Sequence, residues 1–400
     1  MTITMKATGR PKVAVVHPRL TIGGGSEACA LWIIEALKDR CEMTLLTSNA
    51  VDLAECNAFY HTGLRPEDVS VIRVPPPRLL DSARMFAALS ACRLARFCKE
   101  NAARYDLMIS AYNEMDFGRP GIQYILDPNF SQEMLSLLNP SPRWWKRWFY
   151  LDSGIRTLYM GLSRRLSSYT EAGMKKNRTL VDSDWTGRLV RRHFGLDTTT
   201  LYPPVFGSSP EPPWEKREAG FVCMGRVVPD KRIETVVGIL RAVRERVGGL
   251  HLHIIGRTRD PRYARSLRAL IRRERDWVIW EEGVTAERKS RLLAEHRFGI
   301  HGKANEPFGI APAEMVRSGA IVWVPEGGGQ TEIVAHERLS YADEGDAVEK
   351  ISGVIRDPSL QSALRAHLKE QAAKFSLDRF LDSVRALAAR SLEENAERPA

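Results

Sequence analysis

The hydrophobic pattern of this chain falls into two stretches with one rhythm. In the first, Val13-Ala14-Val15-Val16-His17 is a short apolar run without helical spacing, as in a strand buried on both faces. The glycine run Thr21-Ile22-Gly23-Gly24-Gly25 follows, and Ser26-Glu27 then opens a segment with apolar residues at Ala30, Leu31, Ile34 and Leu37, one face of a helix. Strands are predicted again at 43–46, 69–74, 107–110, 123–126 and 179–181, with helical patterns between several of them. Pro203-Pro204, then a segment to Trp214 with three more prolines and two serines, reads as a linker. Beyond it the rhythm restarts: strands at 221–224, 252–255, 277–280 and 298–301, helices at 233–247, 263–273 and 285–296.

Alternation of strands and helices implies a mainly parallel sheet covered on both faces, here twice over. The expected class is α/β, with two Rossmann-like βαβ domains at 1–204 and 218–375, a linker at 205–217 and a terminal helical segment at 376–400. That last segment carries apolar residues at Phe380, Leu381, Val384 and Leu387, spacing that permits docking on another surface.

In sheets of this kind a ligand binds beyond the carboxyl ends of the strands, which is where three polar loops fall. Gly23-Gly24-Gly25 is neither G-x-G-x-x-G placed directly after a strand nor a loop ending in Gly-Lys-Ser/Thr. It is a turn that lets a ligand or a facing domain come near, and a plain tight turn satisfies the same pattern. Gly225 to Arg232 presents Arg226 and Lys231 after a strand; a planar fork and a point charge suit a pyrophosphate, and solvated loop charges are the plain alternative. His301 to Glu332, HGKANEPFGIAPAEMVRSGAIVWVPEGGGQTE, sets Glu306 in a loop, follows it with Phe308-Gly309-Ile310, and places Glu314 near a helix start. Amides at a helix start attract phosphate, whereas two carboxylates repel it and accept hydrogen bonds from hydroxyl groups. A phosphorylated sugar and a ribose meet both demands.

Composition narrows the field. Six cysteines lack C-x-x-C spacing, so neither a zinc-thiolate site nor a disulfide framework is indicated, and a reducing compartment follows. No apolar run reaches the roughly 20 residues of a membrane span, and the first residues lack a secretory core. A cytoplasmic protein is expected. The net charge of +10 favours acidic partners, but it is spread along the chain without a nucleic-acid signature. One insertion, 141–166, interleaves Trp144, Trp145, Trp148, Phe149 and Tyr150 with Arg143, Lys146 and Arg147. That is the composition of an interfacial helix on an anionic membrane, at the inner face; a packing helix is the alternative. Asp182-Ser183-Asp184 has the form of a metal-holding D-x-D, yet it stands between a strand and a helix, so a cap at Ser183 or Asp184 is expected and no metal is assigned.

GRVVPDK, NEPFGIAPAE and GGGQTEIV, in that order, resemble the retaining family-4 glycosyltransferases of GT-B architecture, nearest the mannosyltransferase type that elongates lipid-linked oligosaccharide in the dolichol pathway. HPRLTIGGGSEACALW, VDSDWTGRLV and YPPV fit the same layout. The resemblance implies two domains facing each other across a cleft, with the terminal helix crossing back to the first. It implies that Arg226 and Lys231 neutralise a donor diphosphate and that Gly24 and Gly25 approach it from the other domain. Glu306 would orient the hexose, Phe308, Gly309 and Ile310 would run their backbone over sugar and phosphate, and Glu314 would accept the ribose. The co-substrate implied is a nucleotide diphosphate sugar, GDP-mannose favoured, with a hydroxyl acceptor on a glycan or lipid-linked glycan and no further cofactor. At one position the pattern breaks: Leu126 stands where relatives carry a histidine beside the reacting sugar, followed by Asp127, which takes part of that role. The break admits a donor-binding partner subunit without turnover, and a nucleotide-sugar epimerase of the same architecture is a second alternative.

Overall fold

The structure, a computed structural model, describes residues 9–76, 87–138, 154–206, 212–258 and 260–397. Its first sheet contains β1 (Lys12–Val16), β2 (Glu42–Thr47), β3 (Val69–Arg73), β4 (Leu107–Ser110), β5 (Ile122–Ile125), β6 (Arg178–Val181) and β7 (Thr198–Thr200), and its second β8 (Glu218–Met224), β9 (Leu252–Ile255), β10 (Val278–Glu281), β11 (His296–Ile300), β12 (Ile321–Pro325) and β13 (Ser340–Tyr341). The spatial orders are β3-β2-β1-β4-β5-β6-β7 and β10-β9-β8-β11-β12-β13, and every pairing is parallel. Both are doubly wound, so the strand order reverses between β1 and β4 in one sheet and between β8 and β11 in the other. At such a reversal the connections leave toward opposite faces and open a crevice at the carboxyl ends.

Burial follows from this topology. β4 and β5 are buried along their full length, as strands covered on both faces must be, and the core of the second domain gathers Phe221, Phe298 and Trp323 from neighbouring strands. β7 and β13 escaped the sequence reading. Thr198-Thr199-Thr200 has no apolar residue and Ser340-Tyr341 is two residues long; pairing with β6 and β12 makes them strands.

The chain crosses between domains twice. Around the linker, the Val205 amide donates to the Phe375 carbonyl (3.1 Å), and Tyr202 packs on the rings of Phe308 and Phe375. Thereafter the helix Leu377–Ala396 returns to the first domain and buries Phe380, Val384 and Ala388 in its core. Arg385 donates to the Ala36 carbonyl (3.1 Å) at the end of the helix Gly25–Leu37, and Glu394 pairs with Arg178 (2.6 Å). Residues 141–153 of the aromatic insertion, with Trp144, Trp145, Trp148, Phe149 and Tyr150, lie outside the described residues. Its last part is the helix Gly154–Ser167. No described helix is long and apolar enough to cross a membrane.

Candidate active site

Four loops leave the two crevices. After β1 comes Gly23-Gly24-Gly25, after β4 Tyr112 to Glu114, after β8 Gly225 to Arg232, and after β11 His301 to Gly309. Sequence reasoning found three of these by their composition; their convergence is a consequence of strand order.

The second-domain side is built tightly. Lys231 ends a 3-10 turn, Pro229–Lys231, that lies on the exit of β11. Contact is that close because residue 302 is glycine: a Cβ there would fall 2.6 Å from the Lys231 carbonyl oxygen. Lys231 Nζ reaches Glu306 Oε2 at 2.7 Å, with Lys303 at 3.6 Å and His301 at 3.5 Å from the same oxygen. Burial alone would raise the Glu306 carboxyl, but Lys231, His301 and Lys303 outweigh it and hold the group well below the usual carboxylate range. Glu306 is therefore a fixed anion. The glycines at 327–329 have a structural role that their sequence did not disclose. Gly328, at φ +87°, lies where a Cβ would meet the Glu306 backbone at 2.5 Å, and the Gly329 amide donates to the Glu306 carbonyl (2.8 Å). Gln330 Nε2 ties the loop further, donating to the Lys303 carbonyl at 2.8 Å.

Gly309, at φ +105°, is the N-cap of the helix Ile310–Arg317, so the chain turns abruptly from the Glu306 loop into that helix. Phe308 sends its ring into the core beside Phe375, leaving its backbone at the crevice. Ile310 projects the other way, across to the first domain: a Cβ on Gly25 would lie 2.2 Å from Ile310 Cδ1. Two helix starts thus meet face to face, Gly24-Gly25 from one domain and Gly309-Ile310 from the other. Glu314 is turned toward the helix Ala286–Glu295, where Lys289 Nζ pairs with it at 3.0 Å. It lies in the helix Ile310–Arg317, outside the cationic cluster of Glu306.

From the first domain, Glu27 folds back over Gly24, accepting from Ser26 at 2.8 Å. Asp127 is fixed through its backbone, its amide donating to Asn113 Oδ1 (3.0 Å). Burial raises the Asp127 carboxyl, Lys303 and Arg226 oppose that rise, and Glu306 adds to it; burial likewise raises Glu27, against Ser26, Thr21 and Arg226. Arg226 is exposed at the crevice and its field reaches both acids. Leu126, half-buried, packs against the first-domain core. Ser183 is the N-cap of the helix Asp184–Phe194 and accepts from the Thr186 amide (3.0 Å), and Asp184 bonds to Thr200, so the D-x-D segment caps a helix.

The domains touch at defined points. Ser183 Oγ donates to the Pro307 carbonyl (2.6 Å), and Asn305 donates to the Leu137 carbonyl (3.1 Å). Glu332 accepts from the amides of Asp184 (3.0 Å) and Trp185 (2.8 Å) and from the Tyr202 hydroxyl (3.0 Å).

Residues 208–375 match the family model described as Glycosyl transferases group 1. The C-terminal domain is a glycosyltransferase group 1 domain. Over the whole chain the fold is GT-B. Among similar solved structures are sucrose-phosphate synthase from Thermosynechococcus elongatus (TM-score 0.69, 16% identity, 95% of this chain and 99% of that one) and Anabaena HepE in complex with UDP and glucose (TM-score 0.64, 15% identity, 95% and 99%). WaaG, a glycosyltransferase involved in lipopolysaccharide biosynthesis, is another (TM-score 0.67, 15% identity, 93% and 98%). A curated relative, the GDP-Man:Man(3)GlcNAc(2)-PP-Dol alpha-1,2-mannosyltransferase of Dictyostelium discoideum, is 23% identical over 288 residues, covering 65% of this chain. The match spans 56% of that relative's length.

Within the group 1 domain, the sequence reading overlooked Lys303 and His301, both in contact with Glu306, and Glu332 at the domain boundary. The lysine was legible, since a cation three residues before a loop carboxylate is within its reach. Glu332 carried no such sign, because its partners are 130–148 positions away. Glu114, after β4, was also missed. Its Oε2 is buried with no hydrogen-bond partner among the described residues, and burial raises its carboxyl from 4.5 to about 7. A carboxyl raised on folding contributes stability that is complete below its unfolded value and is lost as pH rises through the folded one. Glu114→Gln is therefore expected to raise the thermal midpoint relative to the unmodified chain at about pH 8 and to leave it little changed at about pH 4, measured by melting across that range.

Proposed function

We propose that this protein is a retaining glycosyltransferase of the family-4 type that moves a hexose, mannose favoured, from a nucleotide diphosphate sugar to a hydroxyl acceptor on a glycan or lipid-linked glycan. The observation that carries this reading is the Lys231–Glu306 pair at the β8/β11 reversal, facing the acids and glycines of the other domain. A diphosphate entering there competes with Glu306 for Lys231. Glu306 keeps Lys303 and His301 as partners and can accept from sugar hydroxyls on its other oxygen, while Lys231, Arg226 and the amides at Gly309-Ile310 neutralise the leaving group. The acceptor hydroxyl then attacks from the side the diphosphate vacates, and the departing phosphate oxygen takes its proton. Asp127 positions the reacting sugar, and Glu314, after sharing Lys289, receives the ribose. With this positive charge supplied by side chains, adding Mg²⁺ or Mn²⁺ is expected to leave the rate unchanged. Domain contact excludes water and so limits donor hydrolysis.

The name of the Dictyostelium relative gives GDP-Man as its donor, whereas HepE was solved with UDP and glucose. The deciding experiment incubates purified protein with labelled GDP-mannose and UDP-hexoses, following binding, nucleotide release and transfer. Release from one donor supports the reading; failure to bind any of them overturns it. Leu126 keeps a second reading in view, a donor-binding partner subunit, which binding with neither hydrolysis nor transfer would establish.

Membrane association at the inner face rests on the helix Gly154–Ser167. Leu158, Leu162 and Leu166 recur every four residues on it and are 76%, 50% and 45% exposed, beside Arg164 and Arg165. An apolar stripe bordered by cations fits an anionic bilayer. Replacing the three leucines with Ser is expected to abolish flotation with vesicles containing anionic lipid, and unchanged flotation would remove this helix from the acceptor question.

A further inference from the structure

The second sheet carries another constellation at the opposite end of its strands. His251 and His253 alternate along the chain and so project to one face at the start of β9, His296 opens β11, and Glu218 opens β8. β8 lies between the other two, and rings from strands two places apart do not ordinarily meet. They meet here because residue 220 of β8 is glycine: a Cβ there would lie 2.3 Å from His251 Nε2, so the ring crosses β8 over bare backbone. His251 Nε2 then stands 2.9 Å from His296 Nε2 and 3.1 Å from Glu218 Oε2. The three ring centroids are 4.8–5.4 Å apart.

We propose that His251, His253 and His296, with Glu218 completing the set, form a site for a divalent transition metal, Zn²⁺ by its ligand chemistry. One ligand atom from each histidine falls within 4.8 Å of the others, and among the described residues this is the one such group of three or more. Zinc–nitrogen bonds of about 2.0–2.1 Å in a tetrahedron place ligand atoms about 3.4 Å apart, so the set reaches that geometry by ring movements of about 1 Å. The outer contacts prepare the tautomers. His296 Nδ1 faces the Leu292 carbonyl at 2.7 Å, and His253 Nδ1 faces Glu281 Oε1 at 3.1 Å, itself held by Arg288 at 2.6 Å. Each Nδ1–H is thereby committed outward, which leaves the Nε2 lone pair for a metal, the usual second support of a histidine ligand. His296 and His253 are buried and His251 is half-buried, so one edge is open to solvent. Because Arg226, Lys231 and Glu306 follow the carboxyl ends of these strands, the metal has a structural role: it ties β8, β9 and β11 together beneath the reversal that positions the donor loops.

The test uses the full chain without a histidine tag, stripped by chelator. One Zn²⁺ per chain retained through gel filtration, visible d–d absorption of four-coordinate Co²⁺, and a thermal midpoint that rises with Zn²⁺ are the expected results. Glu281→Gln, which touches no metal, is expected to weaken Zn²⁺ binding about 10- to 100-fold, and His251→Gln at least as much. Both positions reach solvent, so these variants fold even where His253 or His296 replacements do not; circular dichroism confirms it. Absence of uptake by folded protein, or affinity in both variants equal to that of the unsubstituted chain, overturns the site and leaves a hydrogen-bonded histidine cluster.

Discussion

Lys231→Ala is expected to lower kcat/KM for transfer by about 100- to 1,000-fold, the loss seen when one preorganised electrostatic partner is removed from a transition state, about 2.7–4 kcal/mol. The charge at Lys231 is largely shielded from water and has two successive partners, Glu306 in the resting protein and the diphosphate in the proposed reaction. Because the resting partner retains Lys303 and His301, the variant does not strand an isolated buried anion, and its thermal midpoint should fall by far less than its activity. Activity and melting of Lys231→Ala and Lys231→Arg separate the two effects. Comparable losses of both in Lys231→Ala would make the lysine a stabiliser of the loop with no part in leaving-group departure.

Glu332→Ala is expected to open the domains. This carboxylate belongs to the helix Gln330–Val334 of the group 1 domain, yet all three of its donors lie in or beside the first domain. Two are amides at the start of the helix Asp184–Phe194, where the helix dipole adds to the attraction. Hydrogen bonds to a charged group contribute about 1.5–3 kcal/mol each. Domain opening lets water satisfy the stranded donors, so the cost appears as a shift in closure more than as unfolding. Small-angle scattering should show an increased radius of gyration, and donor KM should rise with a smaller change in kcat. An unchanged radius would assign closure to the Ser183–Pro307 contact and the Gly25–Ile310 packing instead.

Much of the architecture was legible because apolar periodicity is a local quantity. Val13 to Val16, Ile233 to Val247 and Leu252 to Ile255 announce their elements through their own spacing, and the proline-rich segment after Tyr202 announces the break between sheets. The same logic failed for Thr198-Thr199-Thr200, whose strand character is lent by a neighbour, and for His251, His253 and His296, which lie 2–45 positions apart and meet only across a bare glycine on the intervening strand.

At the candidate site the division is equally physical. Residue order alone sets which groups are available: two glycine turns, Arg226 and Lys231 after one strand, Glu306 and Glu314 around a helix start. Which of them meet is set by the packing of the folded chain. Strand order brings Lys231 to Glu306 and sends Glu314 to Lys289, and domain contact sets Gly25 against Ile310. Residue type fixes what a side chain can do, but partners far apart in the chain are chosen by the order in which strands are laid beside one another.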